Sequence, residues 1–334
     1  MSLETAWLAL LGFLLCGYFA LGGYDYGVQM LQPIVGRDGS GRKAMLGALG
    51  PFFLGNEVWL VAFAGVLFGA FPFLEGTLLG GMQSLVVAIL IGIVVGNAAV
   101  QLRSRSGDAG RKVWDGLVVF GGLVPALAWG LFVGVLLNGV PMGADHRWAF
   151  GLSELANPFV LLSGVTGAVL FAAHGATFLA LRTHGDLAER AAGIGRSLLL
   201  AAIAAFAVTF VVGTFTVNLT NAVAAVVFSV LVALALVVAR FSLAQQRPGR
   251  AFGATSVAAA LPVLLLGFGQ YPYVLVSSEN PELSMTVSEG AADTATLGLL
   301  TGFGVVLIPV IIAYQAWSWW TFRGRVDQQS PSYF

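Results

Sequence analysis

The chain has 334 residues, of which 58% are apolar or aromatic and only 10% are charged, with 16 basic residues balancing 16 acidic ones. A soluble domain carries roughly 25% charged residues and cannot hide so much apolar surface at this size, so a soluble globule is excluded. A net charge of zero without a large basic cluster excludes nucleic-acid binding, and a single cysteine, Cys16, excludes a disulfide scaffold or a Cys-based zinc or iron–sulfur site.

What remains is an all-α polytopic membrane protein. A helix needs about 20 apolar residues to cross the hydrocarbon, and nine segments meet that length. The first, 6–29, follows the acidic Glu4 with no Lys or Arg ahead of it, and no small-residue cleavage site follows, so it reads as a span rather than a leader. Next come 46–71, 77–100, 115–139 and 157–181. Segments 197–217 and 220–240 are joined almost without a loop around Asn218–Asn221, and 253–275 and 296–319 complete the set.

Nine spans place the termini on opposite sides, and the positive-inside rule orients them. Fifteen of the 16 Lys and Arg residues then fall on one side and only Arg147 on the other. The reading is an outer N-terminus and a cytoplasmic C-terminus. The outer loop before the last span is acidic, with Glu279, Glu282, Glu289 and Asp293. The 44 glycines allow close helix approach, and the pairs Gly22–Gly23, Gly80–Gly81 and Gly121–Gly122 are expected packing positions. No internal repeat is evident.

Ionisable side chains inside the membrane cost about 2.5–3.5 kcal/mol each on insertion scales and mark candidate functional sites. Asp25, Glu57 and His174 qualify. At 1.5 Å per residue they lie about 9, 16 and 12 Å from the inner boundary, all in the cytoplasmic half. Asp25 shares a helix face with Gly22 and Gln29; Asn56 adjoins Glu57, and Trp59 follows. Such an arrangement suits a proton wire from the cytoplasm, while its structural alternative is hydrogen bonding across helices that fixes the packing. His174 reads as a packed histidine rather than a ligand. It is the only histidine at membrane depth, since His146 falls in an outer loop and His184 in an inner one; Cys16 and the six methionines stay open as ligands, and if the protein works in haem chemistry the haem is expected in a partner. No catalytic residue and no metal site is expected here. Trp317, Trp319, Trp320 and Phe322 read as an interfacial belt.

The chain resembles subunit II of the cytochrome bd-type terminal quinol oxidases. The carrying stretches are Gly-Tyr-Asp-Tyr-Gly-Val-Gln-Met-Leu at 23–31, Gly-Asn-Glu-Val-Trp-Leu at 55–60, Leu-Phe-Gly-Ala-Phe-Pro at 67–72, Asn-Pro-Phe at 157–159, His-Gly-Ala-Thr-Phe-Leu-Ala-Leu-Arg-Thr at 174–183, Tyr-Pro-Tyr-Val-Leu-Val-Ser-Ser at 271–278 and Phe-Arg-Gly-Arg-Val at 322–326. Their order covers nearly the whole chain. The resemblance implies one integral membrane domain, 1–334, of nine helices: a four-helix bundle over 5–140, a second over 157–275, and a peripheral helix at 296–320.

It further implies a bacterial plasma-membrane heterodimer with a subunit I that holds haems b and d and oxidises quinol, reducing oxygen to water with cytoplasmic protons. A small single-helix accessory subunit, membrane lipid and quinone are further expected partners. By position Asp25 matches the family's first-helix aspartate, and Asn56, Glu57 and Trp59 its second-helix motif. The chain departs from the pattern where the second-helix motif opens Phe53-Leu54 rather than Trp-Asp, at Gln29, and in the third helix, which lacks the arginine and phenylalanine expected just upstream of Arg103. Leu54 replaces an acidic residue assigned to a proton path, and Gln29 stands where the family has glycine. The rival reading is a proton-coupled transporter using Asp25, Glu57 and His174, with broken helices near Pro125, Pro262 and Pro309.

Overall fold

The computed structural model describes residues 2–105, 107–143 and 147–326, so His146 lies outside the described residues. Thirteen α-helices and one short hairpin follow in order: α1 Leu3–Val35, α2 Gly39–Leu49, α3 Phe53–Ala70, α4 Pro72–Gly81, α5 Gln83–Leu102, α6 Asp108–Asn138, α7 Leu152–Leu155, α8 Pro158–Arg182, α9 Gly185–Thr216, α10 Ala222–Ala244, α11 Pro248–Gln270, β1 Tyr273–Leu275, β2 Met285–Thr286, α12 Val287–Gly290 and α13 Thr294–Thr321. Among the described residues nine helices are long and apolar enough to cross a membrane: α1, α3, α5, α6, α8, α9, α10, α11 and α13.

Two predicted segments are each divided. The 46–71 segment splits into the end of α2 and the whole of α3, around Gly50–Pro51. The 77–100 segment begins inside α4, and the spanning helix starts only at Gln83. Proline explains the α3–α4 corner: Phe71 precedes Pro72, adopts φ −133°, ψ 57°, and leaves the helical region, while Pro72 opens the next helix where no amide is needed. The tight α9–α10 link survives because Asn221 caps α10, accepting from Ala224 N at 3.1 Å. Asp38 caps α2, accepting from Gly41 N at 2.6 Å and Ser40 Oγ at 2.8 Å, and these bonds hold its carboxyl below the ordinary range. α6, α11 and α13 run unbroken through Pro125, Pro262 and Pro309.

α1 is the central element, packed by α3, α6, α8 and α11. Glycine permits its closest approach: a Cβ on Gly27 would collide with the Phe171 carbonyl and the Gly175 backbone of α8. Gly122 meets the Tyr26 carbonyl in the same manner, and Gly96 of α5 lies against Gly121 of α6. Of the expected packing glycines, Gly80 faces open space, whereas Gly81 receives the Trp148 ring and Gly23 the Phe171 ring. Gly22 faces Tyr18 of its own helix.

On one face of the molecule the connections knit together. Val140 N bonds Val276 O and Ser278 N bonds Val140 O, both at 2.9 Å, while Ala292 N bonds Ala70 O at 2.9 Å. β1 and β2 pair antiparallel in this cap. At the other end, Val326 N bonds Arg182 O at 2.7 Å, tying the segment after α13 to the end of α8. α13 itself is largely exposed, burying only Leu297, Gln315 and Ser318. The belt residues divide accordingly: Trp317 and Trp320 face outward, but Trp319 packs inward, 4.6 Å from the Phe52 ring and 5.5 Å from that of Phe252.

Candidate functional site

Asp25 opens the last third of α1, 2% exposed, and Asn56 of α3 supplies its polar partner from another helix. The Asn56 Nδ2 lies 2.8 Å from Asp25 Oδ2, 2.8 Å from the Tyr24 hydroxyl and 3.2 Å from Leu21 O. An amide nitrogen has two hydrogens for these three acceptors, so the bonds compete. Asp25 Oδ1 has no hydrogen-bond partner. The orientation of Asn56 is fixed from its other side, because Gln315 Nε2 donates to Asn56 Oδ1 at 3.2 Å. Trp59 Nε1 in turn donates to Gln315 Oε1 at 3.4 Å. One polar chain, Asp25–Asn56–Gln315–Trp59, therefore bridges α1, α3 and α13 inside an apolar core.

Glu57 does not join this chain. Successive helical residues point about 100° apart, and Glu57 turns instead to Asn97 of α5, its side-chain hydrogen-bond partner. Leu54 is 57% exposed and points away from the molecule, so the position where the family carries an acid does not face Asp25. Gln29 is buried with its Oε1 unpaired between Gly96 and Gly121. The aromatic pair Tyr18 and Tyr26, also on α1, joins hydroxyl to hydroxyl.

His174 is fully buried between helices. Its Nε2 lies 2.9 Å from Ala20 O, which can only accept, so Nε2 carries the proton; Nδ1 then accepts from the Thr255 hydroxyl at 2.7 Å. Phe252 stacks on the ring at 5.0 Å and 7°. With both nitrogens engaged and one face covered, the imidazole does not fit as an axial haem ligand. Among the described residues no three His, Cys, Asp or Glu side chains gather as a metal site.

A second polar cluster closes the end of α1. Gln32 Nε2 donates to Asp115 Oδ1 at 3.0 Å, Arg42 Nη1 lies 2.5 Å from Asp115 Oδ2, and Arg103 Nε bonds the same carboxylate. The sequence reading missed Gln315, Asn97 and Asp115. A lone Gln within the otherwise apolar last span was the one available signal for Gln315.

Comparison with known proteins agrees with this picture over the full length. The family cytochrome bd terminal oxidase subunit II matches residues 3–322. The cytochrome bd ubiquinol oxidase subunit 2 of Bacillus subtilis (strain 168) is 31% identical over 334 residues, covering 99% of this chain and 98% of the relative. The cytochrome bd-I ubiquinol oxidase subunit 2 of Escherichia coli (strain K12) is 28% identical, covering 98% and 96%. The bd oxidase from Geobacillus thermodenitrificans shares the fold, with a TM-score of 0.72 at 19% identity over 96% of this chain and 99% of that one. A family match across the span that carries the Asp25–Asn56–Gln315 chain makes the protein a member of the cytochrome bd terminal oxidase subunit II family, a component of a membrane oxidoreductase complex.

Proposed function

We propose that this chain is the haem-free subunit of a quinol:oxygen oxidoreductase and that its buried polar chain serves the proton supply of the complex. The observation that carries the reading is Asp25: a carboxyl 2% exposed, with one oxygen bonded to Asn56 and the other without a partner. A packing role alone is met by Asn56, Gln315 and Trp59; an ionisable group with a vacant oxygen is a costly addition unless it exchanges protons. Glu57 is the second proton-path candidate, reached on a separate side through Asn97. His174 is a positioning residue that ties Ala20 of α1 to Thr255 of α11.

In this reading haems b and d and the quinol reaction belong to subunit I, since His174 does not fit as an axial ligand. This subunit supports that partner through two four-helix bundles (5–140 and 157–275) and the peripheral helix at 296–320, with the N-terminus outside and the C-terminus in the cytoplasm of a bacterium. A single-helix accessory subunit, membrane lipid and quinone complete the expected assembly. The transporter reading needs broken helices, and α6, α11 and α13 pass straight through their prolines. The test is oxygen uptake by the purified complex carrying Asp25→Asn or Glu57→Gln. Slower turnover with an unchanged reduced-minus-oxidised haem spectrum supports the proton role; unchanged turnover in both variants removes it.

A further inference from the structure

Among the described residues, three side-chain oxygens are buried without a hydrogen-bond partner: Asp25 Oδ1, Gln29 Oε1 and Gln32 Oε1. All three belong to α1, at spacings of four and three residues, so they share one helix face. The Gln32 amide is held in its orientation, because Nε2 donates to Asp115 Oδ1, which only accepts, and this leaves Oε1 as the unpaired end. Gln29 Oε1 lies against two glycines of neighbouring helices: a Cβ on Gly96 of α5 would stand 2.6 Å from it, and one on Gly121 of α6 3.0 Å. The face ends at Asp115, whose side chain is 14% exposed and pairs with Arg42, itself 26% exposed. The stripe of unpaired oxygens therefore runs from the molecular surface at Asp115 to the buried carboxyl of Asp25.

We propose that bound water lines this stripe and carries protons from the Asp115 end to Asp25. This rests on the proton-supply reading above and names its path. An unpaired buried acceptor costs about 1–3 kcal/mol, and three of them on one face call for the same remedy. The partner these oxygens need is a donor small enough for a helix interface, and water brings two hydrogens that bridge successive acceptors. Asp25 and Gln32 are seven residues apart, about 10.5 Å along the axis, a span that roughly three waters at hydrogen-bond spacing cover. A proton taken up from bulk forms one O–H bond at the outermost water while another O–H bond of that water breaks toward its neighbour. The last transfer places the proton on Asp25 Oδ1, so each hop conserves atoms and charge. The amides of Gln29 and Gln32 hold the waters without titrating. The route needs nothing from Leu54, which faces away from the molecule.

The experiment measures oxygen uptake by the purified whole complex in light and in heavy water. Gln29→Leu and Gln32→Leu each replace an amide with hydrocarbon of similar size and interrupt the stripe at a different point. Each should lower turnover by about tenfold or more and raise the light-to-heavy-water rate ratio above that of the wild type, because proton delivery becomes the slow step. The reduced-minus-oxidised haem spectrum should stay unchanged. Gln29→Ser keeps a hydroxyl and yields space to water, so it should recover most of the turnover that leucine removes; a purely structural Gln29 would suffer more from the cavity than from leucine. Gln29→Met, unbranched and apolar, takes the place of Gln29→Leu if that variant fails to assemble. Wild-type turnover and isotope ratio in both Leu variants, with Asp25→Asn slow, overturns the route and leaves the proton role of Asp25 standing. Wild-type turnover in Asp25→Asn as well overturns the route together with that role. Gln29→Ser as slow as Gln29→Leu, with the isotope ratio unmoved, overturns the water path in favour of packing.

Discussion

Gln315 of α13 donates its side-chain amide to Asn56 of α3 across 259 residues of sequence, and this bond decides which way the Asn56 amide faces Asp25. α13 otherwise buries little of its length. Its attachment thus combines modest apolar packing with a few polar contacts: Gln315 bonds Asn56 and Trp59 of α3, and Thr301 accepts from Trp7 Nε1 of α1 at 3.2 Å. Gln315→Leu leaves Asn56 Oδ1 without its donor and Trp59 Nε1 without its acceptor. Interhelical hydrogen bonds in membranes are worth about 0.6–2 kcal/mol, so the variant complex should unfold at a lower temperature in detergent, read by a thermal-shift assay. Gln315→Glu, which keeps an acceptor for Trp59 but loses the donor, should fall between the two.

Asn56→Leu removes the hydrogen-bond donor of Asp25 while leaving the carboxyl in place. A buried carboxyl without a donor is disfavoured in its charged form. Oxygen uptake should fall by about tenfold or more, with the larger effect at high pH, where proton supply is scarcest. A pH–rate profile that is merely scaled down at every pH would argue for a packing role instead.

The Gly96–Gly121 contact between α5 and α6 predicts a sharp contrast. Gly96→Val puts two methyls where the Gly121 backbone and the Gln29 Oε1 already stand, and helix backbones cannot retreat without opening the interface. The expected cost is about 3 kcal/mol or more, visible as a lost complex after purification. Gly80→Ala, facing open space, should yield the complex at wild-type level.

Asp293 caps α13, accepting from Ala295 N and Thr296 N at 3.0 Å and from the Thr296 hydroxyl at 2.7 Å. The Thr296 hydroxyl and amide hold its carboxyl below the ordinary 3.8. A carboxylate depressed on folding contributes its full stabilisation above the unfolded value and loses it as pH falls through the lower folded value. The stability difference between wild type and Asp293→Ala should therefore be constant from pH 7 to about pH 4 and shrink below that, as followed by helix loss in a pH-stepped thermal melt. A gap that widens with acid would contradict the capping geometry.

The spans were legible because membrane insertion leaves its mark on composition: long apolar runs separated by charges. The α4–α5 division was not, since Met82 and Gln83 interrupt an apolar run too briefly to register, and the corner depends on the backbone at Phe71. Asp25 and Asn56 stood out as polar groups at depth, but their pairing joins two helices and has no local signature. Asp115 was passed over because it lies at a predicted helix boundary, where a charge is unremarked; only the approach of Arg42 and Arg103 gives it a role. Trp319 illustrates the converse: identical residues two positions apart differ in burial because the helix turns between them.

The central place of α1 also sets an order of events in synthesis. A chain is inserted from its N-terminus, so Asp25 enters the bilayer before any of the groups that receive it. Asn56 follows 31 residues later, and Gln315, which orients Asn56, comes last but for the tail. The first helix therefore waits as an incomplete surface while α3, α6, α8 and α11 are made, and the polar chain that starts at its carboxyl is complete only when α13 arrives. A ribosome halted before residue 294 would leave that polar chain without its Gln315 link, however well the earlier helices had packed.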